Sequence, residues 1–483
     1  MGRNIPKEVD VRTSFEQHPV PTVDWCDVAR VTIDMLPDVA LLEIFDFYVD
    51  GARINAWYTL VHVCRNWRHV VFGSPHRLDL RLHCTARTPV RMTLDVWPLL
   101  PIVVWNNGHG MWGVDNIIAA LEHHNRICRI DLWPVPSSQL ETVLGAMQQP
   151  FPTLTDLQLM FQDETALVVS DLFLGGSAPH LQTLILDSIP FPTLPKLLLS
   201  ATHLVDLRLW RIPRSGYFSP VVMATSLAAM TRLQRLLIRF ESPRSRPDRN
   251  SQHPPPSTRI LLPVLTDLNF KGVCEYMEDL VARINAPLLD KMEITFFNRL
   301  IFDNPQLAQF ISRTPAFKTH DEARVIFSDW NVSVTLPQAS DGALELEIPC
   351  EQSDWQLSSL AQVCSSSFPQ ALIFAVERLY IYDDGSCDWQ DDIDNSQWLE
   401  FFRPFTTVNV LYISSEFTTS IALGLQKLVK LRLTRVLPTL KTLFLEDTLL
   451  SEPVREAIAQ FVAARQHASR PITISRWERE EDE

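Results

Sequence analysis

A Leu-x-x-Leu-x-Leu pattern recurs along most of this chain, and it constrains the fold more than any other feature. The clearest copies are Leu154-x-x-Leu157-x-Leu159, Leu181-x-x-Leu184-x-Leu186 and Leu204-x-x-Leu207-x-Leu209. An earlier copy is Ile127-x-x-Ile130-x-Leu132. Later ones are Leu233-x-x-Leu236-x-Ile238, Leu265-x-x-Leu268-x-Phe270 and a degraded Leu288-x-x-Lys291. The series resumes as Val376-x-x-Leu379-x-Ile381, Val408-x-x-Leu411-x-Ile413 and Leu440-x-x-Leu443-x-Leu445. First positions step by 27, 27, 23, 29, 32 and 23 residues, then by 32 and 32. Periods of this size mark a solenoid. Apolar alternation is a short strand with one buried face, and intervening runs such as 114–123 and 451–465 have helical spacing. One such unit cannot bury its apolar face alone, so neighbours stack.

The repeats occupy 77–475, with three interruptions. Residues 241–258 carry Pro254-Pro255-Pro256 and read as an exposed loop. Residues 383–394 are acidic and read as a second loop. Between 317 and 349 the alternation tightens through Val325-Ile326-Phe327, Val332-x-Val334-x-Leu336 and Leu344-x-Leu346-x-Ile348, which predicts extra strands with a hairpin. Residues 1–30 are a loosely ordered arm, and 476–483 an acidic, solvated tail.

Residues 31–76 have a different period. Leu36-Pro37 opens a helix, with Pro37 suited to the first turn. Leu41, Leu42, Phe45 and Tyr48 or Val49 follow at helical spacing, and Gly51 stands at the expected end. Trp57, Leu60, Val61, Cys64, Trp67 and Val71 then form one stripe, stopped by Gly73-Ser74-Pro75. So small a module has too little interior for all these apolar side chains, so some are left for a partner.

Composition narrows the function. The chain has 483 residues, 57 acidic against 43 basic, and a formal charge of −14. That balance argues against a dedicated nucleic-acid binder. No run reaches the roughly 18–20 apolar residues of a membrane helix, and the charged start carries no secretory signal. The eight cysteines form no Cys-x-x-Cys pair and read as reduced thiols of a cytoplasmic or nuclear protein; no Cys/His cluster has metal-ligand spacing.

Met35-Leu36-Pro37-Asp38, Leu41-Leu42-x-Ile44-Phe45 and Val61-x-Val63-Cys64-Arg65-x-Trp67 together resemble an F-box. The repeats behind it resemble leucine-rich repeats. The whole arrangement is similar to the expanded F-box family of mushroom-forming fungi, including the run Phe310-Ile311-Ser312-Arg313-Thr314-Pro315. The resemblance implies an α/β fold in which a small N-terminal helical F-box precedes an irregular leucine-rich-repeat solenoid. It also implies the substrate-recognition subunit of an SCF-type cullin–RING ubiquitin ligase, with no catalytic residues and no cofactor. Leu36, Pro37, Leu41, Ile44, Val63 and Trp67 match the positions that shape the Skp-adaptor-binding helices. The repeats would hold an unidentified protein substrate. They depart from the family in lacking the Asn that usually follows the strand; positions 189 and 212 are Ile and 384 is Asp. That departure predicts an irregular arc.

Two other readings exist. A repeat scaffold without a ligase would share the same arc. An NAD(P)-dependent oxidoreductase would use Gly108-His109-Gly110-Met111-Trp112-Gly113, with Asp131 as the ribose carboxylate. The bulky Met111 and Trp112 oppose it where backbone should approach pyrophosphate. Asp391, Asp392 and Asp394 could hold a cation, although a solvated loop is the commoner meaning. Trp389 and Trp398 could anchor a partner or be buried. Solenoids bind along their strand face, which makes Asp156, Gln158, Gln182, Asp206 and Arg208 the generic candidates for substrate contact.

Overall fold

The computed structural model describes residues 33–478 apart from 52–55, 75–80, 88, 97, 107–112, 162–167, 246–257, 298–303, 319, 338–341, 351–352, 385–394, 431–435 and 447–449. The expected arm at 1–30 lies outside these residues, as do most of the two expected loops and of the acidic tail. The chain divides into two compact units, Met1–Leu78 and Asp79–Glu483.

In the first unit three helices are described: α1 (Asp38–Gly51), α2 (Ala56–Val61) and α3 (Arg65–Gly73). Pro37 stands one residue before α1, and its carbonyl accepts from the amides of Ala40 and Leu41. The second apolar stripe is two helices, not the single run its spacing suggests. Cys64 has extended backbone angles, and its Sγ accepts from the Trp67 amide at 3.4 Å, so it caps a new helix. The stripe survives the break because both helices turn it inward. Leu41, Phe45, Trp57, Leu60, Val61, Val70 and Val71 are buried, and Phe45 meets the Trp67 ring at 4.7 Å.

The second unit is built on strands β1 (Arg81–His83), β2 (Ile102–Asn106), β3 (Ile127–Val135), β4 (Asp156–Phe161), β5 (Thr183–Asp187), β6 (Asp206–Ile212), β7 (Arg235–Phe240), β8 (Ile260–Leu261), β9 (Asp267–Gly272), β10 (Ile284–Asn285), β11 (Lys291–Phe296), β12 (Glu322–Phe327), β13 (Asn331–Pro337), β14 (Ala343–Pro349), β15 (Arg378–Asp383), β16 (Val410–Ile413), β17 (Thr442–Leu445) and β18 (Thr473–Arg476). Strands β8 and β10 pair with each other; the other sixteen form one sheet in the order β1-β2-β3-β4-β5-β6-β7-β9-β11-β14-β13-β12-β15-β16-β17-β18.

The leucine pattern sets the register. Leu157 pairs with Leu184, then Leu207, Leu236, Leu268 and Met292 in one row, and every member is buried. The degraded copy is displaced by one residue. Leu289, Met292 and Ile294 are the buried set, and Leu288 is 58% exposed, so the unit reads Leu289-x-x-Met292-x-Ile294. At the strand entries one carbonyl receives two successive amides. Gln182 and Thr183 donate to Thr155 O at 2.7 and 3.0 Å, Val205 and Asp206 to Gln182 O at 2.8 and 3.0 Å, and Gln234 and Arg235 to Val205 O at 2.8 and 3.1 Å. The same contact recurs through Lys441 and Thr442 on Asn409 O. This backbone ladder stacks the repeats without the Asn that they lack. The irregularity is local. Register shifts fall between Ile127 and Arg129, between Leu132 and Val135 and between Leu209 and Ile212, each one extra residue wide.

Helices return along the leucine side. Tyr276, on helix Cys274–Val281, packs on Phe240 and Phe270, and Phe417, on helix Ser415–Lys430, packs on Phe327 at 4.8 Å. The tight alternation near 317–349 is a three-stranded antiparallel meander inside the sheet. Its outer strands, β14 and β12, run parallel to β11 and β15. Three is odd, so the insertion ends in the direction in which it began, and the parallel solenoid continues.

The corrected register has a measurable consequence. Leu289→Ala removes a fully buried side chain and is expected to cost about 2–5 kcal/mol, whereas Leu288→Ala is expected to change stability by less than about 0.5 kcal/mol. Chemical-denaturation midpoints of the two variants check this.

Candidate functional site

Two surfaces carry side chains that the folding of their own unit does not need. The first is on the N-terminal helices. On α1, Val39 is 66% and Phe47 85% exposed, and Ile44 and Tyr48 lie open beside them. Val63, in the turn between α2 and α3, is also exposed. Of the residues matched to the F-box motif, Pro37, Ile44 and Val63 face solvent, Leu36 and Trp67 are half-buried, and Leu41 is fully buried. Leu41 therefore has no surface to offer a partner in this arrangement. Its spacing belongs to the interior stripe that also holds Phe45. Phe47 and Val39 were missed because the motif match does not include them; their non-interior phase on the α1 wheel was the available signal.

The second surface is the face of the sheet away from the leucines. Alternation puts Asp156, Gln158 and Met160 of β4, Asp206, Arg208 and Trp210 of β6, and Arg235, Leu237 and Arg239 of β7 on it. Asp156, Gln158 and Arg208 are half-buried and Gln182 is exposed, but Asp206 is not an exposed residue. Its side chain is 4% accessible and sits under two arginines. Arg208 donates Nε and Nη2 to it at 3.0 and 2.9 Å, and Arg235 donates Nε at 2.8 Å. Arg211 occupies the extra-residue position at the end of β6 with φ +46. That left-handed turn aims its guanidinium back at Asp187, at 2.7 and 2.9 Å. The Asp187 hydrogen bond raises the Arg211 pKa further. Arg239 lies over the Trp210 ring at 4.6 Å and donates to Asn269 Oδ1.

Further along, the face becomes acidic and then aromatic. Glu345 lies beside Glu293 across the strand pair, with Glu347 two residues on. Burial raises its carboxyl pKa above the ordinary range, and repulsion from Glu293 and Glu347 adds to this; Lys291 and Arg239 oppose it. Glu347 is held by Thr295 Oγ1 at 2.7 Å and Asn331 Nδ2 at 2.9 Å. Beyond the meander, Tyr380, Tyr412 and Phe444 stack in register at 4.1 and 4.6 Å, with Trp477 edge-on to Tyr412 at 5.6 Å. No leucine pattern pointed to this stack. Its signal was an aromatic recurring at the same middle position of three repeats.

Other candidates resolve differently. Trp398 is fully buried among Phe401, Phe402 and Phe417, with Nε1 on Ser420 Oγ at 3.1 Å, so it is a core residue and not a surface anchor. Trp389, Asp391, Asp392 and Asp394 lie outside the described residues, as do 108–112 of the glycine-rich run. Gly113 is described: a Cβ there would meet Thr85 backbone at 2.5 Å, so close packing of this chain on itself requires the glycine. Asp131 is ion-paired with Arg129 at 3.6 Å. Cys84, Cys128 and Cys364 are buried free thiols; burial pushes the Cys84 pKa up to about 12. Among the described residues, no three His, Cys, Asp or Glu side chains are grouped to hold a metal ion, and no helix is long and apolar enough to cross a membrane.

No family model matches the chain, and no curated protein does. Among solved structures, the leucine-rich repeat-containing protein LegL7 from Legionella pneumophila is similar at 13% identity, over 66% of this chain and 93% of that one, with a TM-score of 0.26. A register-locked, mostly parallel sheet, with helical returns joining most of its parallel strands, makes this chain's second unit an α/β repeat array.

Glu345 supplies a pH test. Its folded-state pKa is raised, so its favourable contribution is complete below the unfolded carboxylate pKa and is lost as pH rises through the folded value. Glu345→Gln is therefore expected to raise the melting temperature at neutral pH. The gain should shrink towards zero as pH falls below about 4. Thermal melts of both proteins across pH check this.

Proposed function

We propose that this chain is the substrate-recognition subunit of an SCF-type cullin–RING ubiquitin ligase. The N-terminal helices dock the Skp adaptor, and the free sheet face holds a protein substrate. The observation that carries the reading is the row of exposed apolar side chains on α1 and the α2–α3 turn, which shares Ile44 and Val63 with the F-box-like motif. Pro37 and Leu36 at the helix entry, Ile44 on its outer side and Val63 at the turn supply the contact; Phe47 and Val39 extend it. Leu41 and Trp67 act from inside, by fixing α1 against α3 through the Phe45–Trp67 contact.

The mechanism is proximity. The receptor has no catalytic groups of its own; it raises the effective concentration of substrate lysines near the ubiquitin donor. This work belongs in the cytoplasm or nucleus.

A pull-down of the purified chain with the Skp adaptor tests the reading. The parent is expected to bind. Leu36→Ala with Pro37→Ala, or Phe47→Ala with Ile44→Ala, is expected to weaken binding about tenfold or more, since apolar anchors at an interface centre carry most of its affinity. Circular dichroism should be unchanged. A well-folded parent that does not bind refutes the ligase link and leaves a repeat scaffold that binds its partner alone.

A further inference from the structure

We propose that the free sheet face over β5–β7 binds an acidic protein segment, a run of Asp and Glu side chains, through Arg208, Arg211, Arg235 and Arg239. This rests on that face being the substrate surface, and it does not depend on the adaptor.

The charge is sorted by depth. The Asp206 side chain is 4% exposed, whereas Arg208 and Arg235 above it are 36% and 49% exposed; Asp187 is 6% exposed and its partner Arg211 54%. Three guanidinium groups on two adjacent strands thus stand over two buried carboxylates, and a fourth, that of Arg239, lies 3.7 Å from Glu293. One of those carboxylates, Asp206, serves two of the arginines. Each of Arg208, Arg211 and Arg235 engages the carboxylate beneath it through Nε and Nη2, which leaves Nη1 uncommitted to that carboxylate. A guanidinium matches a carboxylate two donors at a time. In the strand register Arg208 lies opposite Leu237, so Arg235 and Arg239 are its diagonal neighbours, about 7–8 Å away, a step comparable with the roughly 6.6 Å between same-face side chains of an extended acidic segment.

The arginines are also held in place before any ligand arrives. Buried carboxylates fix three of them, and the Trp210 ring and Asn269 fix Arg239. Ordering such long side chains otherwise opposes binding. Asp267 and Glu293 border the cluster, with Lys291 paired to Glu293 at 2.6 Å. The chain as a whole carries −14. An acidic partner is therefore repelled by the average surface and guided to this patch, which favours this partner class over an uncharged one.

The test uses the full chain, without adaptor, and a fluorescently labelled peptide of Asp and Glu residues, beside the same peptide with Asn and Gln. Anisotropy is expected to show binding of the acidic peptide only, weakening as salt rises. Arg208→Gln with Arg239→Gln is expected to lower affinity about tenfold. The pair leaves Asp206 with Arg235 and Glu293 with Lys291, so neither carboxylate is stranded. Arg324→Gln, on β12 of the meander, should change nothing. As a second measurement, a photoreactive group on the peptide should cross-link to β5–β7 in the parent. Absence of binding, equal binding of the Asn/Gln peptide, undiminished binding by the folded double variant, or cross-links confined to other strands overturns the proposal. So does a single-stranded oligonucleotide that binds the same patch more tightly than the peptide does. Any of these leaves adaptor docking standing, and failure of adaptor docking leaves this proposal standing.

Discussion

Most repeats are pinned to the next at the strand entry, ahead of the parallel ladder, by a single carbonyl that accepts two amides of the following unit. That contact sets where each strand starts. Once the start is set, alternation decides the rest. The leucines fall on one side and meet their counterparts in adjacent strands, and the polar residues fall on the other. A slip of one residue would turn a whole strand inside out, so the ladder and the leucine row enforce each other. The return segments are free to vary in length because neither depends on them.

The free face is a product of the same constraint. Residues at equivalent positions are brought side by side regardless of what the returns do, so Asp206 and Arg235 meet although 29 residues separate them. The tyrosine stack arises the same way. Electrostatics then divides the face into an arginine-rich stretch, an acidic stretch around Glu345 and an aromatic stretch beyond the meander. Buried carboxylates in the first stretch hold cations outward. In the second, the carboxylates crowd one another.

Strands and their inward residues were legible because a period of two with leucine is an unambiguous signal. The misplaced copy at Leu288 shows its limit: where Met replaces the middle leucine, the eye takes the wrong Leu of an adjacent pair, and only burial distinguishes 288 from 289. Likewise the Trp57–Val71 stripe is continuous in spacing, and the break at Cys64 depends on a cap that spacing does not register. Asp206 looked exposed because alternation gives a face and not a depth; two long arginines bury it. The three extra strands were visible, but their order in the sheet was not, since strand pairing is a long-range property.

That order affects how the chain becomes ordered. Elsewhere the strands join the sheet in the sequence in which they occur, and the solenoid can grow one unit at a time. At the meander the first strand made, β12, docks three places away from β11, and β14, the last, fills the place beside it. Growth from the N-terminal side halts at β11 until the hairpin pair is complete, while β15 and its successors can assemble on β12 independently. The described repeat array is thereby crossed by a seam of non-local strand pairing, so a repeat architecture that would otherwise be a one-dimensional chain of neighbours has a topological boundary near its middle.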